Sequence, residues 1–362
     1  MAIRPQLISR VAAIRPQFDG TIAIVPYKVM EAAMQKIPLI VIVGPTATGK
    51  TALGVELAKL FCGNAEIVSG DSMQLYKGMD IATANPTQEE LQGIPHHLIS
   101  LFDADKSFSV AEYVTLAKAA IENIHRRGKQ PILVGGTGLY INSVIDNITF
   151  TPSASCPELR ARLTQKAAEQ GRQVLLSELR EFDPETANSL HPNNLGRIIR
   201  AIEIYRLEGV PMSAQKRHSR ESESPFDVTM IGLNFRDRQL LYDRINRRVD
   251  RMLRDGLLEE AAALRKKPLS KTASQAIGHK ELEPYFEGAA SLEEVVEKLK
   301  QSTRNYAKRQ LTWFMRDERI NWIYLDNTNS IKEVSDITKT ILEKTGKYDK
   351  LVPGRDDASQ NI

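Results

Sequence analysis

The stretch that decides the fold is Gly44-Pro45-Thr46-Ala47-Thr48-Gly49-Lys50-Thr51, which matches the phosphate-binding pattern G-x-x-x-x-G-K-[ST]. An apolar run from Ile37 to Gly44 predicts a buried strand before it, and apolar residues at helical spacing from Thr51 to Phe61 predict a helix after it. Glycines let the backbone curl so that its N–H groups point at phosphate oxygens, and the helix N-terminus adds a favourable dipole. The stretch therefore predicts a P-loop rather than a plain glycine-rich turn.

Strands and helices keep alternating beyond the P-loop. Residues 66–69 predict a second strand, residues 110–127 a helix that ends at Gly128, and residues 130–136 a third strand. Such alternation is typical of a mostly parallel sheet with helices on both faces. We therefore predict an α/β fold of the P-loop NTPase-like class, in which residues 37–150 form the first part of the catalytic core.

Strand patterns nearly vanish after Phe150. Residues 157–207 instead predict several helices, which are separated by turn signals at Gly171, Asp183-Pro184 and His191-Pro192. A strand-like apolar run returns at residues 228–233. We therefore interpret residues 151–225 as a helical insertion into the core.

The rest of the chain divides into three parts. Residues 226–345 are expected to complete the core and to add C-terminal helices. Residues 1–36 are basic, which weakly resembles a targeting segment, but we favour a disordered extension. Residues 346–362 have no periodicity and are expected to form a disordered tail.

Composition narrows the class of protein. The two cysteines, Cys62 and Cys156, support neither a disulfide framework nor a zinc site, which favours a reducing, cytoplasmic compartment. No apolar run approaches the roughly 20 residues that a membrane span needs, so we expect no membrane association. The formal net charge of +4 is mild for 362 residues and does not by itself indicate a nucleic-acid partner.

A P-loop identifies the ligand class but not the reaction, so the ends of the other strands matter. Asp71 follows the second strand, where ligands collect in parallel sheets. From the residues alone it could be a Mg²⁺ ligand, a general base or the N-cap of a helical turn. After the third strand, Gly135-Gly136 forms either a turn or a substrate site in which Thr137 offers its hydroxyl.

Four ordered motifs give the chain a specific resemblance. They are G-P-T-A-T-G-K-T at residues 44–51, D-S-M-Q-L-Y-K-G-M-D-I-A-T-A at 71–84, G-G-T-G-L-Y at 135–140 and R-x-Y-A-K-R-Q-x-T-W at 304–313. Over about Pro38 to Tyr324 the chain resembles the tRNA dimethylallyltransferases, also called tRNA isopentenyltransferases. It lacks the cysteines for the zinc finger that eukaryotic relatives often add, and so resembles the bacterial form.

The resemblance implies a reaction and its catalytic groups. A dimethylallyl group would move from dimethylallyl diphosphate to the exocyclic amine of the adenosine 3′ of the anticodon in tRNA. By this resemblance the P-loop and Arg248 bind the donor diphosphate, and the Thr51 hydroxyl ligates Mg²⁺. Asp71 accepts the amine proton, while Thr137 contacts donor oxygens and helps to orient the reacting groups.

The resemblance also implies a set of residues that contact tRNA. Besides Asp71 and Thr137, they are Ser72, Met73, Gln74, Arg160, Gly196, Arg197, Ile198, Ile199, Arg200, Gln275, Ala276, Ile277, Gly278, His279 and Lys280. The adenine has to leave its stack to reach the Asp71 segment, so base flipping in the anticodon loop is implied. We expect the partner to be the anticodon stem-loop and the enzyme to be a monomer. Taken without the resemblance, Arg197 and Arg200 could equally form a solvated helix face.

Two late segments are rich in charge or in aromatic rings. Residues 236–254 hold seven arginines against three aspartates, and such a stripe suits phosphate. Tyr306, Trp313 and Phe314 have helical spacing, so we interpret them as core residues rather than as stacking platforms for bases.

Two rival functions stay open at this stage. An adenylate isopentenyltransferase shares the loop and the Asp71 motif but prenylates a free nucleotide, and the helical insertion and the basic helices oppose it. A P-loop NTPase that binds RNA without alkylating it would bind and hydrolyse ATP. Against this second rival, the third strand ends in Gly135-Gly136 rather than in an acidic residue.

Overall fold

A six-stranded sheet forms the centre of the protein in the computed structural model, which describes residues 36–150, 155–328 and 330–346. The strand order is β3-β2-β4-β1-β5-β6. The strands are β1 (Ile37–Val43), β2 (Ala65–Ser69), β3 (His96–His97), β4 (Gln130–Val134), β5 (Phe226–Asn234) and β6 (Ile320–Tyr324). Most of the predicted extension and nearly all of the predicted tail lie outside the described residues.

The registered strand pairs are parallel. Ile40 of β1 lies opposite Ile132 of β4, and Ile67 of β2 also lies opposite Ile132. β2 pairs with β3, and β5 pairs with β6, in the same parallel sense. The carboxyl ends of β1, β2 and β4 therefore meet at one edge of the sheet, where the P-loop, Asp71 and Thr137 follow them.

Helices surround the sheet and fill the segments between strands. Their bounds are α1 (Lys50–Leu60), α2 (Gln88–Leu91), α3 (Val110–Arg126), α4 (Gly138–Ile145), α5 (Pro157–Gln170), α6 (Arg172–Phe182), α7 (Pro184–Ser189), α8 (Leu195–Glu208), α9 (Met212–His218), α10 (Arg238–Arg254), α11 (Leu257–Leu264), α12 (Glu283–Phe286), α13 (Leu292–Phe314) and α14 (Ile331–Lys344). None of the helices in the described part of the chain is long and apolar enough to cross a membrane.

One hydrophobic core lies between the sheet and α1. Leu53 and Leu57 of α1 are fully buried against Ile42 of β1 and Ile132 of β4. α14 covers α1 from the outside through Leu342, which belongs to the same cluster. Burial of these side chains fixes α1, and with it the P-loop that precedes α1, on the sheet.

A second hydrophobic cluster holds α5, α6, α7 and α8 together. Leu159, Leu175 and Leu179 pack there with Ile198 and Ile199, whose side chains are 0% and 6% exposed. The Ile198 and Ile199 side chains therefore face the interior of the helical segment, which leaves only the backbone of these residues for the predicted tRNA contact. Their apolar character already pointed to burial.

The sequence predicted the parallel sheet and the large helices but missed several short elements, three of which bear on the sheet or the site. β3 has only two residues, and its pairing is decided by the neighbouring strand β2. β6, Ile-Asn-Trp-Ile-Tyr, has no regular alternation and is placed in the sheet by pairing with β5. α4 begins directly after Gly135-Gly136, so the predicted glycine turn leads into a helix.

Candidate active site

The P-loop curls because three of its residues have positive φ angles, and one of them, Gly44, also lies close to the backbone of β5. Gly44 has a φ of 137°, and a Cβ there would lie 2.3 Å from the carbonyl oxygen of Leu233 on β5. Ala47 and Gly49 have φ angles of 66° and 88°. Gly49 is the N-cap residue of α1, so the loop leads the chain directly onto the positive end of a helix dipole.

Lys50 folds back over the loop. Its ammonium donates to the carbonyl oxygen of Pro45 at 2.7 Å, and the Thr48 hydroxyl donates to the same oxygen at 2.9 Å. Burial and then the positive charge of Arg248 lower the pKa of Lys50 to about 7, although the charge of Asp71 acts in the opposite direction. Lys50 is therefore poised to gain a proton when an anion enters the loop.

Asp71 is fixed by a turn and not by a helix. Its Oδ1 accepts from the N–H of Met73 at 2.9 Å, and its own N–H donates to the Ser69 hydroxyl at 3.3 Å. No helix begins here, which makes the N-cap interpretation of Asp71 wrong. Gln74 supports the turn from outside, because its Oε1 accepts from the Ser69 hydroxyl at 2.8 Å.

Thr137 lies beside the Asp71 turn. Its Oγ1 accepts from the N–H of Ser72 at 3.1 Å, which ties the end of β4 to the end of β2. The two strand ends also touch through glycines, since a Cβ at Gly135 would lie 2.3 Å from the carbonyl oxygen of Gly70. Gly135 is thus required for a close backbone approach that brings Thr137 to the Asp71 turn.

The late helix α13 closes the site from the other side. The Oε1 of Gln310 accepts from the N–H of Thr46 at 2.8 Å, and its Nε2 donates to the carbonyl oxygen of Gly136 at 3.0 Å. Tyr306 lies close to the side chains of Thr137 and Gln310, and burial followed by the nearby charge of Asp71 raises the pKa of its hydroxyl. Tyr306 therefore stays protonated at neutral pH.

The aromatic residues of α13 have three different environments. Phe314 is fully buried, as the helical spacing predicted. Trp313 is 39% exposed and lies over Gly138, where a Cβ would be 2.2 Å from the indole. Tyr306 lines the active-site cavity, so its interpretation as a core residue is wrong. Helical spacing could not separate these cases because the cavity and the core lie on neighbouring faces of α13.

A cavity of about 360 Å³ joins these groups. Many of the residues predicted for the site line it, and those from the P-loop, the turn after β2 and α10 are Thr46, Ala47, Gly49, Lys50, Thr51, Asp71, Ser72, Met73, Gln74 and Arg248. Gly44, Pro45, Thr48 and Thr137 are not among the lining residues. Ala82, Val249, Met252, Ile277 and Leu299 give one part of the cavity an apolar wall. The cavity thus combines an anion-binding loop, a carboxylate and an apolar surface.

Residues 275–280 form another wall of the cavity. Gln275 and Lys280 are exposed and line it together with Ala276, Ile277 and Gly278. The exception is His279, which is 6% exposed and hydrogen-bonds through Nε2 to Glu260 at 3.1 Å. The predicted tRNA contact of the His279 side chain is therefore replaced by a structural role.

Glu260 connects two walls of the cavity. Besides His279, its carboxylate accepts from the N–H groups of Ile81 and Ala82 at 2.7 and 3.0 Å. These bonds fix the loop that presents Ala82 to the cavity. Sequence reasoning missed Glu260, because nothing in the pattern of α11 distinguishes it from a surface carboxylate.

The arginines of the helical segment differ from one another. Arg160 binds Glu203 with two hydrogen bonds of 2.8 Å, and Arg200 binds the same buried carboxylate. Burial alone would raise the pKa of Glu203, but hydrogen bonds from Arg160, the Cys156 backbone and Arg200 lower it to about 2. Arg197 and Gly196 are exposed. Among the three arginines, Arg197 thus offers the charge that is most available to a phosphate.

The donor atoms at the loop suit a Mg²⁺ ion that takes most of its ligands from a substrate. The Thr51 hydroxyl and the Asp71 carboxylate both line the cavity. The described residues contain no group of three or more His, Cys, Asp or Glu side chains that could hold a metal by themselves. Mg²⁺ is commonly bound in this way, through one or two protein oxygens together with phosphate oxygens and water.

Comparison with known proteins places this site in a family. The model of the IPP transferase family matches residues 74–317, which is more than half of the chain. The tRNA dimethylallyltransferase of Caldanaerobacter subterraneus subsp. tengcongensis is 50% identical over 301 residues, covering 82% of this chain and 95% of the relative. That of Bacillus subtilis is 49% identical over 288 residues, covering 79% and 90% of the two chains.

Solved structures agree with the sequence comparison. The tRNA isopentenylpyrophosphate transferase of Bacillus halodurans is 44% identical, with a TM-score of 0.65 over 87% of this chain and 99% of the other. A eukaryotic dimethylallyltransferase, solved acting on tRNA, is 29% identical, with a TM-score of 0.71 over 85% and 80% of the two chains. The chain therefore belongs to the tRNA dimethylallyltransferase family.

Proposed function

We propose that this chain transfers a dimethylallyl group from dimethylallyl diphosphate to the exocyclic amine of the adenosine 3′ of the anticodon in tRNA, releasing diphosphate. One observation carries the proposal: a single cavity brings the P-loop residues Lys50 and Thr51 together with Asp71 and Arg248. Family membership supports this function over prenylation of a free nucleotide and over ATP hydrolysis without alkylation.

The P-loop side of the cavity binds and stabilises the leaving group. In the transfer, the bond between C1 of the dimethylallyl group and the diphosphate oxygen breaks, and negative charge accumulates on that oxygen. Lys50, Arg248 and the N–H groups at the start of α1 face this charge, and such preorganised donors contribute most where charge develops. Lys50 donates one N–H to the carbonyl oxygen of Pro45, and its ammonium has two further N–H groups for this contact.

Asp71 acts on the acceptor substrate, the adenine amine. The adenine amine is a poor nucleophile because its lone pair is delocalised into the ring, so the new carbon–nitrogen bond requires loss of an amine proton. The Oδ1 of Asp71 is oriented by the Met73 N–H, and the carboxylate lines the cavity, where it accepts this proton. Thr137, tied to Ser72, holds the Asp71 turn against the end of β4.

Mg²⁺ is the cofactor that fits the loop. The Thr51 hydroxyl would hold it at the start of α1, and Asp71 lies across the same cavity. When bound, the ion supplies positive charge that neutralises the diphosphate. The chain's own contribution is to present the hydroxyl at the helix N-terminus, next to the loop N–H groups.

Contacts with tRNA extend beyond the flipped adenosine. Ser72, Met73 and Gln74, together with the exposed Gln275 and Lys280, line the cavity on the acceptor side. Arg197 on α8 offers an exposed charge for the phosphate backbone. We propose that the enzyme acts as a monomer, and the substrate class supports a cytoplasmic location.

The proposal is tested by incubating the protein with Mg²⁺, labelled dimethylallyl diphosphate and tRNA that lacks the modification. We expect label to enter tRNA and not AMP, and a tRNA with guanosine at the target position to stay unlabelled. ATP hydrolysis that tRNA stimulates, in the absence of any label transfer, would instead support the RNA-binding NTPase. Label in AMP alone would support the adenylate prenyltransferase.

A further inference from the structure

Gln310 connects the two halves of the active site. Its Oε1 accepts from the N–H of Thr46 in the P-loop at 2.8 Å, and its Nε2 donates to the carbonyl oxygen of Gly136 at 3.0 Å. Gln310 is only 5% exposed, so both bonds are shielded from water. A buried amide that loses either partner leaves a costly unsatisfied group, which keeps the geometry well defined.

The structure makes room for this amide at a specific position. A Cβ at Gly136 would lie 2.2 Å from Nε2 of Gln310, while the next nearest atoms, Cδ of Gln310 and the carbonyl oxygen of Gly44, lie at 3.3 and 3.6 Å. Glycine is therefore needed at position 136 chiefly because of Gln310. The amide occupies the space between the P-loop and the end of β4.

The Gln310 amide forms a bridge between Thr46 and Gly136, and these two residues lie next to different substrates in the proposed function. Thr46 belongs to the loop that holds the diphosphate, whereas Gly136 precedes Thr137, which binds the Asp71 turn through Ser72. Reacting atoms have to approach to about 3–3.5 Å in line, and a misplacement of about 1 Å can cost about 10²-fold in rate. The separation of the loop from the β4 end therefore sets the distance between donor carbon and acceptor amine.

We propose that Gln310 is a positioning residue for prenyl transfer, which aligns the donor held by the P-loop with the acceptor activated at Asp71. It touches neither the diphosphate nor the adenine in this role. Tyr306, one turn earlier on the same helix, lies close to both Gln310 and Thr137 and lines the same cavity. The inference rests on the proposed function, because it assigns donor and acceptor to the two sides.

The test compares Gln310→Ala and Gln310→Glu with Thr312→Ala, a control on the same helix whose exposed hydroxyl bonds only to the Lys308 carbonyl. Glutamate has the size of glutamine and can accept from Thr46, but it cannot donate to Gly136. We expect the single-turnover rate at saturating substrates to fall about 10²-fold in both Gln310 variants. The Kd of the donor and of tRNA should each change less than about threefold, and the control should retain the wild-type rate.

A second variant approaches the bridge from its other end. Gly136→Ala should lower the single-turnover rate similarly, because the added methyl displaces the amide. The double variant Gly136→Ala with Gln310→Ala should be no slower than Gln310→Ala alone, because the clash is gone. Multiplicative losses in the double variant would overturn the inference.

The failure of the inference is distinguishable from failure of the proposed function. If the wild-type protein transfers no prenyl group to tRNA, the function is wrong. If the wild type is active but Gln310→Ala keeps more than a third of its single-turnover rate, Gln310 does not position the substrates. A rate loss that is fully matched by a loss in donor affinity would make Gln310 a binding element of the loop and would also overturn the inference.

Discussion

Donor binding should become weaker as the pH rises above 7, because Lys50 has to gain a proton to meet the diphosphate. Burial and the neighbouring Arg248 lower the pKa of Lys50 to about 7 in the free protein. Below this pH Lys50 is already charged, so binding requires no proton uptake. Above it, each pH unit adds about 1.36 kcal/mol to the cost of charging Lys50, up to the higher pKa in the complex.

The size of the change in donor Kd follows from the fraction of protein molecules in which Lys50 is charged. With a pKa of about 7, half of the molecules carry the charge at pH 7 and roughly one in a hundred at pH 9. The donor Kd should therefore rise about fivefold from pH 7 to pH 8 and about fiftyfold from pH 7 to pH 9.

Isothermal titration calorimetry without tRNA measures this effect directly. Titrations of dimethylallyl diphosphate in two buffers of different ionisation enthalpy should show uptake of about half a proton at pH 7 and nearly one at pH 8.5. The control is Lys50→Arg, whose guanidinium stays charged and should flatten the pH dependence even if its affinity differs. A wild-type Kd that is constant from pH 7 to pH 9, without proton uptake, would refute the reasoning.

Three further predictions concern the base, the tRNA surface and the helical segment. Asp71→Asn should lower the single-turnover rate by about 10²–10⁴ and leave tRNA affinity within a few-fold, because the amide cannot accept the amine proton; retention of a tenth of the rate would exclude Asp71 as the base. Arg197→Gln should reduce the slope of log K for tRNA against log salt by about 0.7, measured by titration at several salt concentrations, whereas an unchanged slope would make Arg197 a solvated surface residue. Glu203→Gln should destabilise the protein by about 1–3 kcal/mol in denaturant unfolding at pH 7, because Arg160 and Arg200 lose their shared carboxylate. The pKa of Glu203 is lowered to about 2. The free energy of unfolding of the wild type should therefore exceed that of Glu203→Gln at neutral pH, and this difference should disappear as the pH falls from about 4.5 towards 2.

The local parts of the site could be predicted from the sequence. The P-loop pattern fixes its own backbone shape, and Asp71 and Thr137 follow predicted strands whose parallel pairing brings their ends together. In each case a short stretch of sequence predicts its own local structure, and the parallel sheet then brings these stretches together.

The long-range parts could not be predicted in this way. Gln310 lies 264 residues from Thr46, and no local pattern indicates that its amide enters the P-loop. Arg160 and Arg200 looked alike as candidate phosphate ligands until the structure placed both on Glu203. Ile198 and Ile199 are apolar, which by itself indicates burial, whereas the resemblance to the family assigns both residues to the tRNA contacts.

The bridge made by Gln310 also has a consequence for biosynthesis. A growing polypeptide presents its P-loop and Asp71 to the cell long before α13, which ends at Phe314, has been translated. Before that helix docks, β1 and β4 already pair beside the P-loop, but the amide bridge from Thr46 to Gly136 is absent. A ribosome-bound fragment that ends before α13 would thus lack the contact that, in our proposal, aligns donor and acceptor.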